Sequence, residues 1–167
     1  MHKFVTLGEV MLRLSPPPYQ RFIQAKQFDI NIGGSEANVA ASLAALVIDA
    51  YFVTMLPDHE IGDLVISELR KHSIKTDYIL RGGSRVGIYF LEIGAAQRPS
   101  NVIYDRENAS VTLLRYELLN WDEVLNGATW FHITGITPAL CETLADTVLK
   151  VVTKAKSLGI MVSCDLN

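Results

Sequence analysis

Residues 33–46 read Gly33-Gly34-Ser35-Glu36-Ala37-Asn38-Val39-Ala40-Ala41-Ser42-Leu43-Ala44-Ala45-Leu46, a pair of glycines followed by a helix of small residues. No side chain from Ala37 through Ile48 is charged. Because a surface helix normally carries a polar face, we expect this helix to be buried on most sides. The glycine pair leaves backbone N–H groups at the helix start open to a ligand. The segment therefore predicts either a binding site or a core helix after an ordinary turn.

Short apolar runs alternate with helical segments along the rest of the chain. Four runs rich in Val, Ile, Phe or Thr predict buried strands, at residues 3–7, 50–54, 130–134 and 160–164. Helices are predicted between them, at residues 35–48, 60–72 and 139–157. This alternation predicts an α/β fold, a sheet flanked by helices.

A second class of segment alternates in polarity and predicts half-exposed strands. These strands lie near residues 11–14, 28–32, 86–93 and 101–106. We expect them to form a small antiparallel sheet that projects from the edge of the main domain. Such a sheet would serve as a lid over a ligand.

Composition limits the possible partners. The chain has 167 residues, 49% hydrophobic and 20% charged, with a formal net charge of −3. We expect no nucleic-acid or membrane partner, because both normally require a basic face, and a small molecule fits better. No secretion signal or long apolar span is recognisable, which predicts a cytoplasmic protein. Cys141 and Cys164 lie in apolar surroundings and are interpreted as buried thiols, and no metal site is predicted.

Candidate ligand-binding side chains fall on the predicted lid. The two-residue period of a strand places Tyr104 and Arg106 on one face, and Tyr89 on a neighbouring strand could join them. A guanidinium holds a carboxylate and tyrosine hydroxyls bond to hydroxyls, so the set suits an anionic, hydroxylated ligand. The alternative is an Arg106 paired with Glu92 or Asp105 on a solvated strand, with the tyrosines only packing.

Several catalytic motifs are missing from the sequence. Neither G-x-G-x-x-G after a strand, nor G-x-x-x-x-G-K-[ST], nor G-x-S-x-G occurs. The four histidines are scattered, and His132 lies inside an apolar run. We interpret His132 as a hydrogen-bonded core residue rather than a catalyst.

Six segments together resemble the PfkB, or ribokinase-like, carbohydrate kinases. They are Val5-Thr6-Leu7-Gly8-Glu9, residues 33–40, Gly87-Ile88-Tyr89, Tyr104-Asp105-Arg106, residues 132–140 and Ser163-Cys164-Asp165-Leu166-Asn167. The lid set and residues 135–140 resemble the branch that phosphorylates 2-keto-3-deoxygluconate. One departure follows the first helix, where the family usually has glycine and this chain has Val47-Ile48.

The resemblance implies a ribokinase-like fold with a sugar site between a floor and a lid. Gly33, Gly34 and Asn38 would form the floor, where backbone groups and the amide bond to sugar hydroxyls. Glu9 stands where many members carry an aspartate that binds those hydroxyls.

From the lid, Tyr89, Tyr104 and Arg106 would close over the sugar acid, with Arg106 meeting its carboxylate. Related kinases often dimerise through the lid, which implies a homo-oligomer.

The resemblance also implies that the chain is the N-terminal portion of one such domain. The ATP-binding half and the catalytic base are expected beyond Asn167. The full-length enzyme would use ATP and Mg²⁺ to phosphorylate a hydroxyl of 2-keto-3-deoxygluconate or a similar sugar acid. The 167-residue chain alone is expected to bind neither ATP nor Mg²⁺ and to be inactive. Two alternatives remain open: a non-catalytic sugar-binding or assembly module, and a family member that phosphorylates another sugar or a nucleoside.

Overall fold

Two β-sheets form the framework of the computed structural model, which describes residues 2–167. The strands of the main sheet are β1 (Lys3–Leu7), β4 (Asp49–Leu56), β5 (Ile79–Arg81), β8 (Ala128–Thr134) and β9 (Met161–Asp165). They are parallel, in the order β5-β4-β1-β8-β9. The helices are α1 (Ser35–Ala45), α2 (Glu60–Lys71), α3 (Trp121–Leu125), α4 (Ile136–Ala139) and α5 (Glu142–Ser157). The predicted α/β fold is confirmed.

Three elements differ from the sequence-based expectation, and the first is the five-residue helix α3, which was not predicted. The three-residue strand β5 was not predicted, because so short a run shows no period. The helix predicted over residues 139–157 begins only at Glu142, as α5, because Cys141 has an extended backbone with φ −166° and ψ 162°. The separate short helix α4 precedes it.

The second sheet is formed by the strands predicted for the lid, and we refer to it as the lid. Its strands are β2 (Met11–Ser15), β3 (Asp29–Gly33), β6 (Ile88–Glu92) and β7 (Asn101–Asp105), in the order β3-β2-β6-β7. The expectation of a purely antiparallel sheet is wrong, because β2 and β6 pair in parallel. β2–β3 and β6–β7 are two antiparallel hairpins whose first strands both leave the main sheet in the same direction, so those strands meet in parallel.

Hydrophobic side chains cover both faces of the main sheet. Strand alternation sends Phe52 toward α1 and α2, where it packs with Ala40 and Leu69. It sends Val53 to the other face, where Phe131 and residues of α3 and α5 form a second cluster. None of the helices within residues 2–167 is long and apolar enough to cross a membrane.

The first helix is less buried than its composition suggests. Only Glu36, Ala37 and Ala40 of α1 are buried, whereas Leu46 and Val47 just beyond it are 72% and 90% exposed. The predicted burial on most sides is therefore wrong. Small side chains let one face of α1 pack closely on the sheet, and the other face stays open among the residues that the structure describes.

The interpretation of the two cysteines also needs correction. Cys141 is half-buried and Cys164 is exposed. Among residues 2–167, Cys164 lies on an edge strand, β9, and its apolar sequence neighbours do not enclose it.

The end of α1 contains a backbone conformation that normally favours glycine. Val47 has φ +63°, in the left-handed region. Its N–H bonds to the carbonyl of Ala44 at 3.0 Å, and that of Ile48 bonds to Leu43 at 3.1 Å. This is a Schellman termination, in which the left-handed residue is usually glycine. The departure from the family noted at Val47-Ile48 thus places a β-branched residue in a strained conformation.

We expect Val47→Gly to stabilise the protein by about 1 kcal/mol, raising Tm by roughly 2–4 °C. Relief of the left-handed strain exceeds the entropy that glycine loses on folding, and the exposed Val47 side chain gives up almost no burial. Leu46→Gly is the matched control. Leu46 has φ −89°, so glycine there should only destabilise. A Val47→Gly variant that melts below the wild type in a thermal scan would contradict this assignment.

Candidate functional site

The candidate site lies where the chain passes between the two sheets. Glu9 follows β1 directly, and Gly33-Gly34 leads from β3 into α1. A Cβ on Gly34 would lie only 2.3 Å from the Glu9 carbonyl oxygen and 3.2 Å from Val10 Cα. Glycine is thus required at residue 34 by the close approach of the two segments. This approach holds the predicted floor against Glu9.

A buried carboxyl group fixes the start of α1. Glu36 is 2% exposed, and its Oε1 accepts three hydrogen bonds. The Thr134 N–H and hydroxyl donate at 3.1 and 2.8 Å, and the Thr137 hydroxyl donates at 2.7 Å. Bonds to a charged acceptor contribute about 1.5–3 kcal/mol each. The floor glycines are therefore held at a fixed position relative to the carboxyl end of β8.

The lid brings its three predicted ligand residues together. Tyr89 on β6 pairs in register with Tyr104 on β7, so both side chains lie on one face, 5.9 Å apart between ring centres. The guanidinium carbon of Arg106 lies 5.5 Å from the Tyr104 ring centre. The Tyr89 hydroxyl lies 2.6 Å from where a Cβ on Gly33 would be. The tyrosine pair therefore connects Arg106 to the floor.

Arg106 forms an ion pair with Glu9, a partner that the sequence did not suggest. Its Nη2 donates to Glu9 Oε2 across the junction of the two sheets. The proposed alternative, in which Arg106 pairs with Glu92 or Asp105, is wrong. Both acids bond to other arginines, Glu92 to Arg98 and Asp105 to Arg85, the latter at 2.8 Å.

The ion pair is shielded from water but leaves part of the arginine accessible. Glu9 is 4% exposed, whereas the Arg106 side chain is 23% exposed. Burial raises the pKa of the Glu9 carboxyl, Arg106 opposes that rise, and Glu36 adds to it. Glu9 Oε1 and Arg106 Nε are both buried without a partner. The site thus contains one acceptor and one donor that its own residues do not satisfy.

Asn38 lies apart from this cluster. It is exposed on α1 and lines a cavity of about 330 Å³ together with Gly33 and His72. Within residues 2–167 its side-chain amide makes no hydrogen bond to another residue, and its assignment to the sugar floor stays a prediction.

His132 has the structural role that the sequence indicated. It is 8% exposed and its Nδ1 lies 2.8 Å from the Ser163 hydroxyl. Burial lowers the pKa of its imidazole, against the influence of Glu36 and Asp165. Residues 2–167 hold no group of three or more His, Cys, Asp or Glu side chains that could hold a metal ion.

Two residues of the site were not identified from the sequence. A Cβ on Gly87 would lie 2.5 Å from Glu9 Oε1 and 3.1 Å from Met11 Cγ, so the glycine makes room for the buried carboxyl group. Glu36 was passed over in the same way. Its signal was a single acid in the first turn of a helix otherwise made of small uncharged residues.

Comparison with known proteins assigns the chain to one family. The family described as "pfkB family carbohydrate kinase" matches residues 1–166. A 2-dehydro-3-deoxygalactonokinase from Haloferax volcanii is 39% identical over 165 residues, which are 99% of this chain and 52% of that protein. A 2-dehydro-3-deoxygluconokinase from Bacillus subtilis is 25% identical over 98% of this chain and 50% of its own length.

Among solved structures, a 2-dehydro-3-deoxygluconokinase from Thermotoga maritima is 52% identical and superposes with a TM-score of 0.98. The match covers 100% of this chain and 51% of that one. The chain thus spans about half the length of the relatives it matches.

The raised pKa of Glu9 predicts a pH-dependent effect of Glu9→Gln on stability. Below about pH 4.5 the carboxyl group is protonated in both the folded and unfolded states, and the variant should match the wild type. As pH rises, the unfolded chain releases this proton first, so the wild type loses stability through the folded-state pKa. The variant should therefore be the more stable protein at pH 7, in urea unfolding between pH 4 and 8.

Glu117→Gln is a control with the opposite sign. Glu117 is exposed, and its pKa is lowered by a hydrogen bond to its own backbone and by Lys150. Its contribution is present above about pH 4.5 and is lost on acidification, so glutamine there should weaken the protein at neutral pH. A Glu9→Gln variant less stable than wild type at pH 7 would show that Arg106 outweighs burial.

Proposed function

Because the chain belongs to the pfkB family of carbohydrate kinases, we propose that it carries the sugar-binding part of an ATP-dependent kinase for 2-keto-3-deoxygluconate or a similar sugar acid. In the reaction, a sugar hydroxyl oxygen attacks the γ-phosphorus of ATP, the bond to ADP breaks, and a base takes the hydroxyl proton. We assign binding and orientation of the sugar acid to this chain. ATP, Mg²⁺ and the base belong to the part of the kinase that the relatives have and this chain does not span. A cytoplasmic location, where ATP is available, is part of the proposal.

One observation carries the choice of a sugar acid: a half-buried arginine flanked by two tyrosines on the face of the lid. The accessible part of the Arg106 guanidinium can hold a carboxylate, while the hydroxyls of Tyr89 and Tyr104 can bond to the sugar. A neutral sugar offers the accessible part of that guanidinium no charged acceptor in addition to Glu9, with which Arg106 is already paired. The relatives named above support the same class, since both names describe kinases of 2-keto-3-deoxy sugar acids.

Glu9 has two roles in this proposal. Its Oε2 orients Arg106, and its unpaired Oε1 is available to accept a hydrogen bond from a sugar hydroxyl. A hydroxy acid supplies both missing partners at once, because its carboxylate accepts from Arg106 and its hydroxyl donates to Glu9. The backbone of Gly33 and Gly34 then forms the adjoining floor.

We further propose that two copies associate through the outer face of the lid. In-register strand pairing places Leu14, Ile30, Phe90 and Ile103 in one row on the face opposite the tyrosines. Ile30 and Ile103 are 58% and 50% exposed. An apolar row of this kind is stable in water when a second apolar surface covers it.

In the full-length kinase, we expect Arg106→Gln to lower kcat/KM for 2-keto-3-deoxygluconate by about 10- to 100-fold, the value of a charge-assisted hydrogen bond. The loss should be much smaller for the neutral analogue that carries CH₂OH in place of the carboxylate. A coupled ADP-release assay measures both. Arg106 neutralises the buried Glu9, so Arg106→Gln alone would leave the Glu9 charge unpaired. The two substrates are therefore also compared with Arg106→Gln introduced into a Glu9→Gln variant, which has no such acid.

Arg85→Gln is the matched control for this experiment. Arg85 is also a lid arginine, but its partner Asp105 is half-exposed at its side chain, so its removal should change neither substrate's kinetics by more than about twofold. If Arg106→Gln lowers kcat/KM equally for the acid and for the neutral analogue, the proposal is contradicted, and a kinase for neutral sugars or nucleosides is favoured instead. Absence of any sugar turnover in the full-length protein would instead favour a non-catalytic binding module.

The lid association predicts that Ile103→Asp converts a dimer of the full-length protein into a monomer. A carboxylate buried in an apolar interface costs several kcal/mol because it cannot be hydrated there. Leu118→Asp, at a position 50% exposed outside the lid, should leave the dimer intact. Light scattering at micromolar concentration distinguishes the two. A wild-type monomer, or an Ile103→Asp dimer, would contradict the proposed interface.

A further inference from the structure

Arg13 is an arginine of the lid that has no role in the proposed sugar site described above. It lies in the middle of β2 and pairs in register with Tyr89 on one side and Asn31 on the other. Because paired residues share a face, Asn31, Arg13, Tyr89 and Tyr104 form one row across the ligand-facing side of the lid. Arg13 therefore lies on the same face as the tyrosine pair, directly beside it.

Arg13 lacks the counter-ion that three other arginines on or beside the lid strands have. Arg85, Arg98 and Arg106 each form an ion pair with an acid. Arg13 makes no ion pair or hydrogen bond through its side chain within residues 2–167, and Asp29, one row further along the same face, does not bond to it. Its Nε is buried without a partner although the residue is only half-buried. An Nε–H group that is removed from water with no acceptor beside it is costly, and an anion bound to this guanidinium would offset that cost.

The charges of the site show what that anion adds. Glu9 offsets the charge of Arg106, so this pair alone is close to neutral. A sugar acid bound to it would bring one uncompensated negative charge into a partly shielded pocket. Arg13 supplies one positive charge on the same face, which makes the three side chains together complementary to a single carboxylate.

The spacing of the two arginines fits one small ligand. Arg106 lies two strands away from Arg13 and one row closer to the main sheet, which corresponds to about 12 Å between their Cα atoms. Both side chains are long and can lean toward the tyrosines between them. A single sugar acid lying on Tyr89 and Tyr104 is then within reach of both guanidinium groups.

From this arrangement we infer that Arg13 is a specificity-determining residue of the sugar site, the net positive charge that selects an anionic sugar over a neutral one. Arg106, tied to Glu9, orients the carboxylate, while Arg13 supplies the attraction. The inference rests on the proposed function, since it assumes that the ligand is a sugar acid.

Calorimetric titration of the full-length protein with 2-keto-3-deoxygluconate and with its neutral analogue tests this role. Arg13→Gln should raise Kd for the acid by about 10- to 100-fold and change Kd for the neutral analogue by less than about twofold. Arg13→Lys keeps the charge and should recover most of the affinity, although it lacks the planar fork. Added salt should weaken binding of the acid to wild type more than to Arg13→Gln.

Two further variants control for charge and for folding. Arg115→Gln removes the same charge at an exposed position outside the lid and should bind both ligands as wild type does. If Arg13→Gln has a lower Tm than the wild type, Arg13→Met is used in its place, because methionine retains the apolar part of the arginine side chain. Wild type that binds no sugar acid would overturn the proposed function and this inference with it. Two outcomes would overturn the role of Arg13 alone, provided that the wild type binds the acid. In one, Arg13→Gln binds the acid as tightly as the wild type does, and in the other, Arg13→Gln loses affinity for both ligands equally.

Discussion

The buried carboxyl group of Glu36 is the contact on which the arrangement of the site depends. It accepts hydrogen bonds from Thr134 and Thr137, residues distant in sequence, and so connects the start of α1 to the carboxyl end of a central strand. Leaving a group that is 2% exposed without these partners would cost about 1–3 kcal/mol, so α1 is favoured in one position on the sheet. The position of α1 in turn fixes the position of the glycine pair that precedes it. The floor of the site is therefore fixed by a hydrogen-bonded acid rather than by apolar packing alone.

The lid is attached to this fixed base by electrostatics. Glu9, on the segment leaving the main sheet, pairs with Arg106 at the end of the last lid strand. The Glu9 end of the pair is almost closed to solvent, where a Coulombic interaction is weakly screened. Desolvation still disfavours the charged carboxylate, as the raised pKa of Glu9 shows. An ion pair held at such a cost is common where a site needs an arginine in one orientation.

Sequence reasoning predicted the parts of the structure that depend on periodicity. The alternation of apolar runs with helices fixed the α/β class, and the two-residue period placed Tyr104 and Arg106 on one face of the lid. It could not predict the partner of Arg106, because Glu9 is 97 residues away and only the fold brings the two together. The parallel pairing of β2 with β6 could not be predicted from the sequence either, since it depends on how two hairpins leave the main sheet. The same holds for Arg13, whose lack of an acid is visible only when every neighbouring carboxylate has been located.

The glycines around the site restrict how this protein could diverge. A side chain at Gly8 would overlap the Glu36 carboxyl, with a Cβ only 2.2 Å from its Cδ, and one at Gly34 would overlap the backbone beside Glu9. Substitution of either is an overpacking change that the rigid floor cannot absorb. The lid strands carry their ligand-facing residues on a half-exposed surface that tolerates exchange. Substitutions that alter the choice of sugar are therefore expected in the lid rather than at the floor glycines of this chain.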